Sequence, residues 1–218
     1  MTIPHEVERR AIAETGRRLE AEGLLAITAG NLSTRLGPNL IAISPSAIPY
    51  ARTEAEDVVV TDLDGTVVDG DRRPSSEIPF HTAVYRARPD VGGVVHTHSP
   101  FATVLAIMRR PIPAVHYVIA SFGVDEIPVV QYETYGTTDL AEKIAEIAAS
   151  GANGALLANH GAVAFGVTLD KAAEHASLLE FLATAYYRAL VAGAPTLLPT
   201  DELDRVRRRF EIHGQPGP

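Results

Sequence analysis

The chain has no cysteine, which excludes disulfides, thiolate zinc fingers, iron–sulfur ligation and a cysteine nucleophile. It is short of positive charge: 19 Lys+Arg stand against 27 Asp+Glu, a formal net charge of −8. Nucleic-acid and anionic-membrane binders need a basic surface, so neither partner is expected, although a local pocket for a small anion stays open. No apolar run approaches the ~20 residues of a membrane-spanning helix. The opening MTIPHEVERR lacks the apolar stretch of a secretory signal. A cytoplasmic protein is the expectation. What is present is ordinary for a globular fold: 46% apolar and 21% charged residues argue against disorder. The 218 residues suit one domain spanning 1–218 and can bury a sizeable core.

Periodicity predicts an amphipathic helix over 4–24, with Ile12, Leu19 and Leu24 at helical spacing. Strand-like runs follow at 32–36 and 40–44. A hairpin is expected where 57–60 and 66–68 flank Asp62-Leu63-Asp64-Gly65. Pro74-Ser75-Ser76-Glu77 reads as a helix start with a serine cap and a first-turn acid. That helix should run to Arg88, ahead of Pro89. Further on, 91–98 reads as a buried strand, 100–110 as a helix and 111–137 as strand and loop. Helices are expected over 138–149, 169–191 and 201–210, with a mostly strand segment over 154–165 and a loose tail after about 211. Helices and strands interleave, and hairpins mix with crossovers. The fold class is therefore α/β, with helices covering a central sheet that need not be parallel.

His96-Thr97-His98 ends the apolar run 91–95. Side chains two apart on a strand share a face, so both imidazoles face one spot at the strand's carboxyl end. Converging imidazoles suit Zn²⁺ or another late first-row divalent ion; the bland alternative is two half-exposed histidines. His160, in Asn159-His160-Gly161, breaks an otherwise apolar strand, and such breaks tend to mark function. A core histidine bonded to a backbone carbonyl is the competing reading. Three neutral histidines would leave a fourth position open, as in a catalytic zinc site. Ser75-Ser76-Glu77 at a helix start offers N–H groups and hydroxyls to a phosphate, or is simply a cap. Gly30-Asn31 and Ser44-Pro45-Ser46 read as polar turns. Glu77 is a candidate metal ligand or general base, and equally a partner for His81 one helical turn on. Tyr117 is either a proton donor or plain packing. His5, His175 and His213 belong to no constellation and read as solvated or capping.

Seven segments occur in a fixed order: Gly30-Asn31-Leu32-Ser33, Ser44-Pro45-Ser46-Ala47-Ile48-Pro49-Tyr50, Pro74-Ser75-Ser76-Glu77, His96-Thr97-His98, His116-Tyr117-Val118-Ile119-Ala120, 132–137 and Asn159-His160-Gly161. Each is weak alone. Together they resemble the class II aldolase/adducin family, from the first helix nearly to the end of the chain. Within that family they are most similar to the L-fuculose-1-phosphate aldolases.

The resemblance implies an α/β/α sandwich on a mainly antiparallel sheet, assembled as a C4 homotetramer with active sites at subunit interfaces. It implies that His96, His98 and His160 hold one Zn²⁺ per subunit. Glu77 would ligate the metal at rest and act as acid/base once substrate displaces it. Asn31, Ser46, Ser75 and Ser76 would take the substrate's phosphate. Tyr117 would be lent by a neighbouring subunit to protonate the aldehyde oxygen. The implied activity is reversible cleavage of a (deoxy)ketose 1-phosphate, such as L-fuculose 1-phosphate, to dihydroxyacetone phosphate and an aldehyde such as L-lactaldehyde. No Schiff-base lysine is expected, since only Lys143 and Lys171 exist and both lie in charged helical stretches.

Two positions depart from the family pattern. Ala47 stands where a glycine usually follows the phosphate-loop Thr/Ser, and His213 falls where a tail tyrosine meets substrate. The second change bears on the aldehyde, which makes 5-deoxyribulose or another deoxyketose 1-phosphate a rival substrate. Ribulose-phosphate 4-epimerases carry Asp in place of Glu77 and rank lower; methylthioribulose-1-phosphate dehydratases and sugar-acid decarboxylases are further relatives. A metal-free adducin-like interaction module is the alternative of another class, disfavoured by the complete ligand set.

Overall fold

The computed structural model describes residues 3–212. Its elements are α1 (Glu6–Ala21), β1 (Asn31–Arg35), β2 (Leu40–Ile43), β3 (Val59–Asp62), β4 (Val67–Asp69), α2 (Ile78–Ala87), β5 (Gly93–Thr97), α3 (Pro100–Ile107), β6 (Val129–Val130), α4 (Thr138–Ala149), β7 (Gly154–Leu157), β8 (Gly161–Gly166), α5 (Leu169–Ala192) and α6 (Thr200–Ile212). The strands form one eight-stranded sheet in the order β4-β3-β2-β1-β5-β8-β7-β6. Its neighbours are antiparallel except β6 and β7, which are parallel. The sheet is thus mixed but mainly antiparallel, as expected. β5 lies at its centre, between β1 and β8.

Strand alternation decides what each face carries. Val94 pairs with Phe165 and Val95 with Ala164 across β5 and β8. Val94 and Phe165 join Phe80 and Val84 of α2 and Leu140 and Ile144 of α4 in one buried cluster. Val95 and Ala164 join Ile12 and Leu19 of α1 and Ala172, Ala173 and Ala176 of α5 in another. Helices therefore cover both faces, giving the three-layer sandwich. A third cluster packs Leu105 of α3, Leu179 and Leu182 of α5 and Leu203 of α6 around Ile119 and Phe122. Each fully buried Val, Leu or Phe contributes roughly 1.5–3 kcal/mol.

Local chemistry sets the helix ends. The Oγ1 of Thr168 accepts from the Lys171 N–H at 3.1 Å to cap α5, satisfying a donor with no partner inside the helix. α2 stops at Ala87, because Arg88 precedes Pro89 and is extended, with φ −131°.

Several boundaries differ from the sequence reading. α1 ends at Ala21, short of 24. The stretch 111–137 contains a 3₁₀ segment, Tyr117–Phe122. The segment 154–165 is a hairpin of two strands, β7 and β8, and not one strand; the Asn159 backbone at φ 55° turns the chain between them. α2 begins one residue after Glu77, so Glu77 is the N-cap residue and not a first-turn acid, and no side chain caps that helix. α6 runs to Ile212, past the expected 210. Residues 213–218, with His213 and nearly all of the expected tail, lie outside the described residues.

Candidate metal centre and active site

β5 places His96 on the α2 side of the sheet, fully buried, with its ring edge-on to Phe80. Its Nδ1 donates to the Ala162 carbonyl of β8 at 2.8 Å. That bond puts the proton on Nδ1 and leaves the Nε2 lone pair free, the arrangement of a metal-ligating histidine held by its other nitrogen. His98 lies one residue beyond the strand, yet its Nε2 comes to 3.0 Å from that of His96. His160 enters from the β7–β8 turn. Gly161 follows it because a Cβ there would sit 2.3 Å from the Thr97 carbonyl oxygen. Glu77, at the start of α2, brings Oε2 to 3.2 Å from His96 Nε2 and Oε1 to 3.3 Å from His160 Nε2.

One ligand atom from each of Glu77, His96, His98 and His160 lies within 4.8 Å of the others. This donor set, three imidazoles and a carboxylate, suits Zn²⁺ or another late first-row divalent ion. Two observations fit such an ion. The Glu77 Oε1 is buried and has no hydrogen-bond partner among the described residues, a costly arrangement for an acceptor without a cation. Burial, then the neighbouring imidazoles, hold His98 and His160 down to about 4, so both present lone pairs at neutral pH. For Glu77, burial acts to raise the pKa. His96, His160 and the Asn31 amide outweigh it and keep the carboxyl well below its ordinary range.

Glu77, His98 and His160 form one side of a cavity of about 340 Å³, with His96 buried behind them and Ser46, Ser75 and Ser76 lining another part. The Ser46 N–H donates to the Arg73 carbonyl at 2.9 Å and the Ser75 N–H to the Ser44 carbonyl at 3.1 Å. These bonds hold the two serine loops side by side. Ala47 keeps the left-handed backbone at φ 59°, so the turn retains the shape a glycine would give it. Gly136 lets the loop bearing Tyr132 and Tyr135 approach Ser76, whose carbonyl oxygen would lie 3.0 Å from a Cβ there. Among the described residues no lysine lines this cavity; Lys143 and Lys171 pair with Glu133 and Glu174.

Asn31 borders the same cavity, but its side chain is committed inward. Its Nδ2 donates to Glu77 Oε2 at 2.9 Å, and its Oδ1 faces His81 Nε2 at 2.6 Å. The direct Glu77–His81 pairing considered from helical spacing is thus replaced by a bridge through Asn31. Tyr117 lies elsewhere: half-exposed, it lines a separate cavity of about 870 Å³ with Ser121, Arg207 and Phe210. His175 is buried, not solvated, and its Nδ1 donates to the Phe165 carbonyl at 2.6 Å. His5 is the exposed N-cap residue of α1.

The sequence reading missed the polar ladder behind Glu77. His81 Nδ1 lies 2.7 Å from Ser33 Oγ, which lies 2.9 Å from the Tyr85 hydroxyl. The signal was there in two periods: Glu77, His81 and Tyr85 recur every four residues, and Asn31 and Ser33 every two.

With this fold and this centre, the chain belongs to a known family. Residues 10–187 match the Class II Aldolase and Adducin N-terminal domain. Among its relatives is a 5-methylthioribulose-1-phosphate/5-deoxyribulose-1-phosphate aldolase of Rhodospirillum rubrum, 43% identical over 94% of this chain and 92% of the relative. A 5-deoxy-D-ribulose 1-phosphate aldolase of Bacillus thuringiensis is 41% identical over 95% and 97%. An L-fuculose phosphate aldolase of Escherichia coli K12 is 37% identical over 94% of each chain. A solved L-fuculose 1-phosphate aldolase superposes with a TM-score of 0.90, at 36% identity, over 97% of this chain and 98% of the other. The chain is a class II aldolase and so a lyase. Among the described residues, no helix is long and apolar enough to cross a membrane.

Proposed function

We propose that this enzyme reversibly cleaves a deoxyketose 1-phosphate to dihydroxyacetone phosphate and a short aldehyde, with Zn²⁺ held by Glu77, His96, His98 and His160. The observation that carries the reading is the convergence of those four residues, three of them at the wall of a cavity that Ser46, Ser75 and Ser76 also line and in which no lysine stands among the described residues. The ion would supply Lewis-acid stabilisation of negative charge developing on the substrate's carbonyl oxygen.

The chain's own residues do the rest. The Ser46, Ser75 and Ser76 loops bind the phosphate, and anchoring it remotely holds the reacting carbons in place. Glu77 returns a proton to C3 in cleavage and removes it in condensation. Its Oε1, the oxygen that Asn31 does not hold, would become available for that exchange once substrate takes the place of Glu77 at the ion, while Asn31 keeps Oε2. In condensation Tyr117 donates its phenol proton to the oxygen forming at C4, and in cleavage the phenolate takes that proton back from the C4 hydroxyl as the C3–C4 bond breaks. Because Tyr117 lines a different cavity of its own chain, we assign it to the site of a neighbouring subunit in a homotetramer. One domain over 1–218 and a cytoplasmic location complete the reading; phosphorylated sugars do not cross membranes unaided.

The relatives from R. rubrum and B. thuringiensis are more identical to this chain than that from E. coli K12. That order favours a 5-deoxypentulose 1-phosphate over L-fuculose 1-phosphate. The test is to give zinc-loaded protein each of 5-deoxyribulose, methylthioribulose and L-fuculose 1-phosphates and couple dihydroxyacetone phosphate to glycerol-3-phosphate dehydrogenase. Chelator-sensitive release, fastest with a 5-substituted or 5-deoxy pentulose, is expected. Release that persists without metal would refute the zinc assignment. No release from any of the three, with zinc bound, would refute the substrate class.

A further inference from the structure

Behind Glu77 a hydrogen-bonded chain runs through the interior between α2 and the sheet. It comprises Glu77 Oε2, Asn31 Nδ2 and Oδ1, His81 Nε2 and Nδ1, Ser33 Oγ and the Tyr85 hydroxyl, with steps of 2.9, 2.6, 2.7 and 2.9 Å. Asn31, Ser33, His81 and Tyr85 are all buried. Beyond Tyr85 the ladder ends on Arg35, whose guanidinium lies 4.8 Å over the tyrosine ring and donates to the Tyr85 carbonyl at 2.7 Å.

The donor directions along this chain are determined by chemistry. A carboxylate only accepts, so Asn31 must turn its NH₂ toward Glu77. Its Oδ1 must then accept, so His81 donates from Nε2. A neutral His81 has a lone pair on Nδ1, which Ser33 fills with its hydroxyl proton, and Tyr85 donates to Ser33. Burial keeps His81 neutral, with its pKa lowered to about 3. Its ring is fixed by stacking on Phe80, with centroids 4.5 Å apart and planes 20° apart. Reversing the Asn31 amide would set oxygen against oxygen at Glu77, and every later bond would have to reverse.

We infer that His81 is a positioning residue for Glu77: by donating from Nε2 it holds the Asn31 amide in the one orientation that binds Oε2 and leaves Oε1 free for proton exchange with substrate. The inference deepens the proposed function and rests on it for the role of Glu77. His81 touches no substrate. It acts through Asn31, as groups behind a ligand commonly do.

The test has two arms on zinc-loaded protein. Nitrogen-15 NMR of the histidine rings reads the tautomer of His81 directly, whatever the catalytic activity. An Nε2–H tautomer is expected, and an Nδ1–H or doubly protonated ring overturns the inference. The second arm compares His81→Phe with His81→Gln. The phenylalanine keeps the stacking and loses both hydrogen bonds, whereas the glutamine amide can still donate to Asn31. For His81→Phe, kcat should fall about 10-fold or more, with KM within about twofold and zinc content unchanged. His81→Gln should recover most of kcat. Equal impairment of both variants at full zinc content would make His81 a packing residue only. Loss of zinc in His81→Phe would make His81 a support of the whole centre and overturn the positioning role. Unchanged kcat would also overturn the inference. If instead Glu77→Gln keeps full turnover, the acid/base assignment fails while the tautomer result stands.

Discussion

Gly161 is pressed against Thr97: a Cβ on the glycine would meet the Thr97 carbonyl oxygen at 2.3 Å and the His98 ring at 3.2 Å. The contact joins the turn carrying His160 to the strand end carrying His96 and His98. Gly161→Ala should therefore push two ligands apart while leaving the distant core intact. The expected result is zinc affinity lowered by about tenfold or more with far-UV circular dichroism unchanged. A variant that binds zinc like the parent would show that the turn tolerates the added methyl.

Glu77→Gln should keep bound metal, through the three histidines, and lose turnover by about 10²-fold or more. Tyr117→Phe should still exchange the C3 proton of dihydroxyacetone phosphate but fail to cleave. Mixing the two inactive variants tests where Tyr117 acts. If each site combines Glu77 of one subunit with Tyr117 of its neighbour, random mixed tetramers should recover about a quarter of parental activity. If Tyr117 serves its own chain, steady-state mixing will restore nothing; a Tyr117→Phe protein that cleaves at the parental rate would remove Tyr117 from the chemistry.

Ala47 holds φ 59°, a conformation costing a non-glycine residue roughly 1–2 kcal/mol. Ala47→Gly removes that strain and adds unfolded-state entropy, so the net gain should be below about 1 kcal/mol. A Tm rise of about 2 °C is expected for a chain of this size. A fall in Tm would mean that the methyl packs usefully at the cavity edge.

Acid should weaken the metal-free protein. His98 and His160 lie near 4 and His81 near 3, all depressed from 6.5 by burial first. Above that ordinary value these rings are neutral folded or unfolded and make no difference. Below it the unfolded chain binds protons that the folded chain refuses, so stability falls and levels off only near the folded values. Glu77 acts the same way: its depressed pKa adds stability above the ordinary 4.5, lost as pH falls through the folded value. Urea midpoints at about pH 7.5 and about pH 5 should drop in that order. His81→Phe should show a smaller drop, and an equal drop would remove His81 from the account.

Much of this was legible in the sequence, for identifiable reasons. His96 and His98 declare themselves because a strand places alternate residues together, and apolar runs on either side mark His160 as out of place. The hairpin turn at His160 was hidden because Ala155, Leu156, Ala162 and Val163 are apolar on both sides of it, and periodicity alone does not separate one buried strand from two. The position of Glu77 is not legible because serine before an acid is the ordinary signature of a cap and a first-turn acid, whereas here Glu77 stands at the N-cap position, no side chain caps the helix and the carboxylate is turned to the histidines. The ladder through Asn31 and Ser33 could not be seen from either element alone. It exists only when a four-residue period on α2 meets a two-residue period on β1.

The central position of β5 has a consequence for how the enzyme is made. Asn31 pairs with His96, and His96 with Val163, so the ligand cluster straddles contacts between segments far apart along the chain. No partial chain emerging from the ribosome holds more than three of the four ligands until the β7–β8 turn has been synthesised. Glu77, His96 and His98 come earlier in the chain, but His96 has no carbonyl to orient its ring until β8 supplies that of Ala162. The complete donor set is thereby deferred until the chain has passed residue 160, and an ion held there would tie residues of the early chain to residues of the late one.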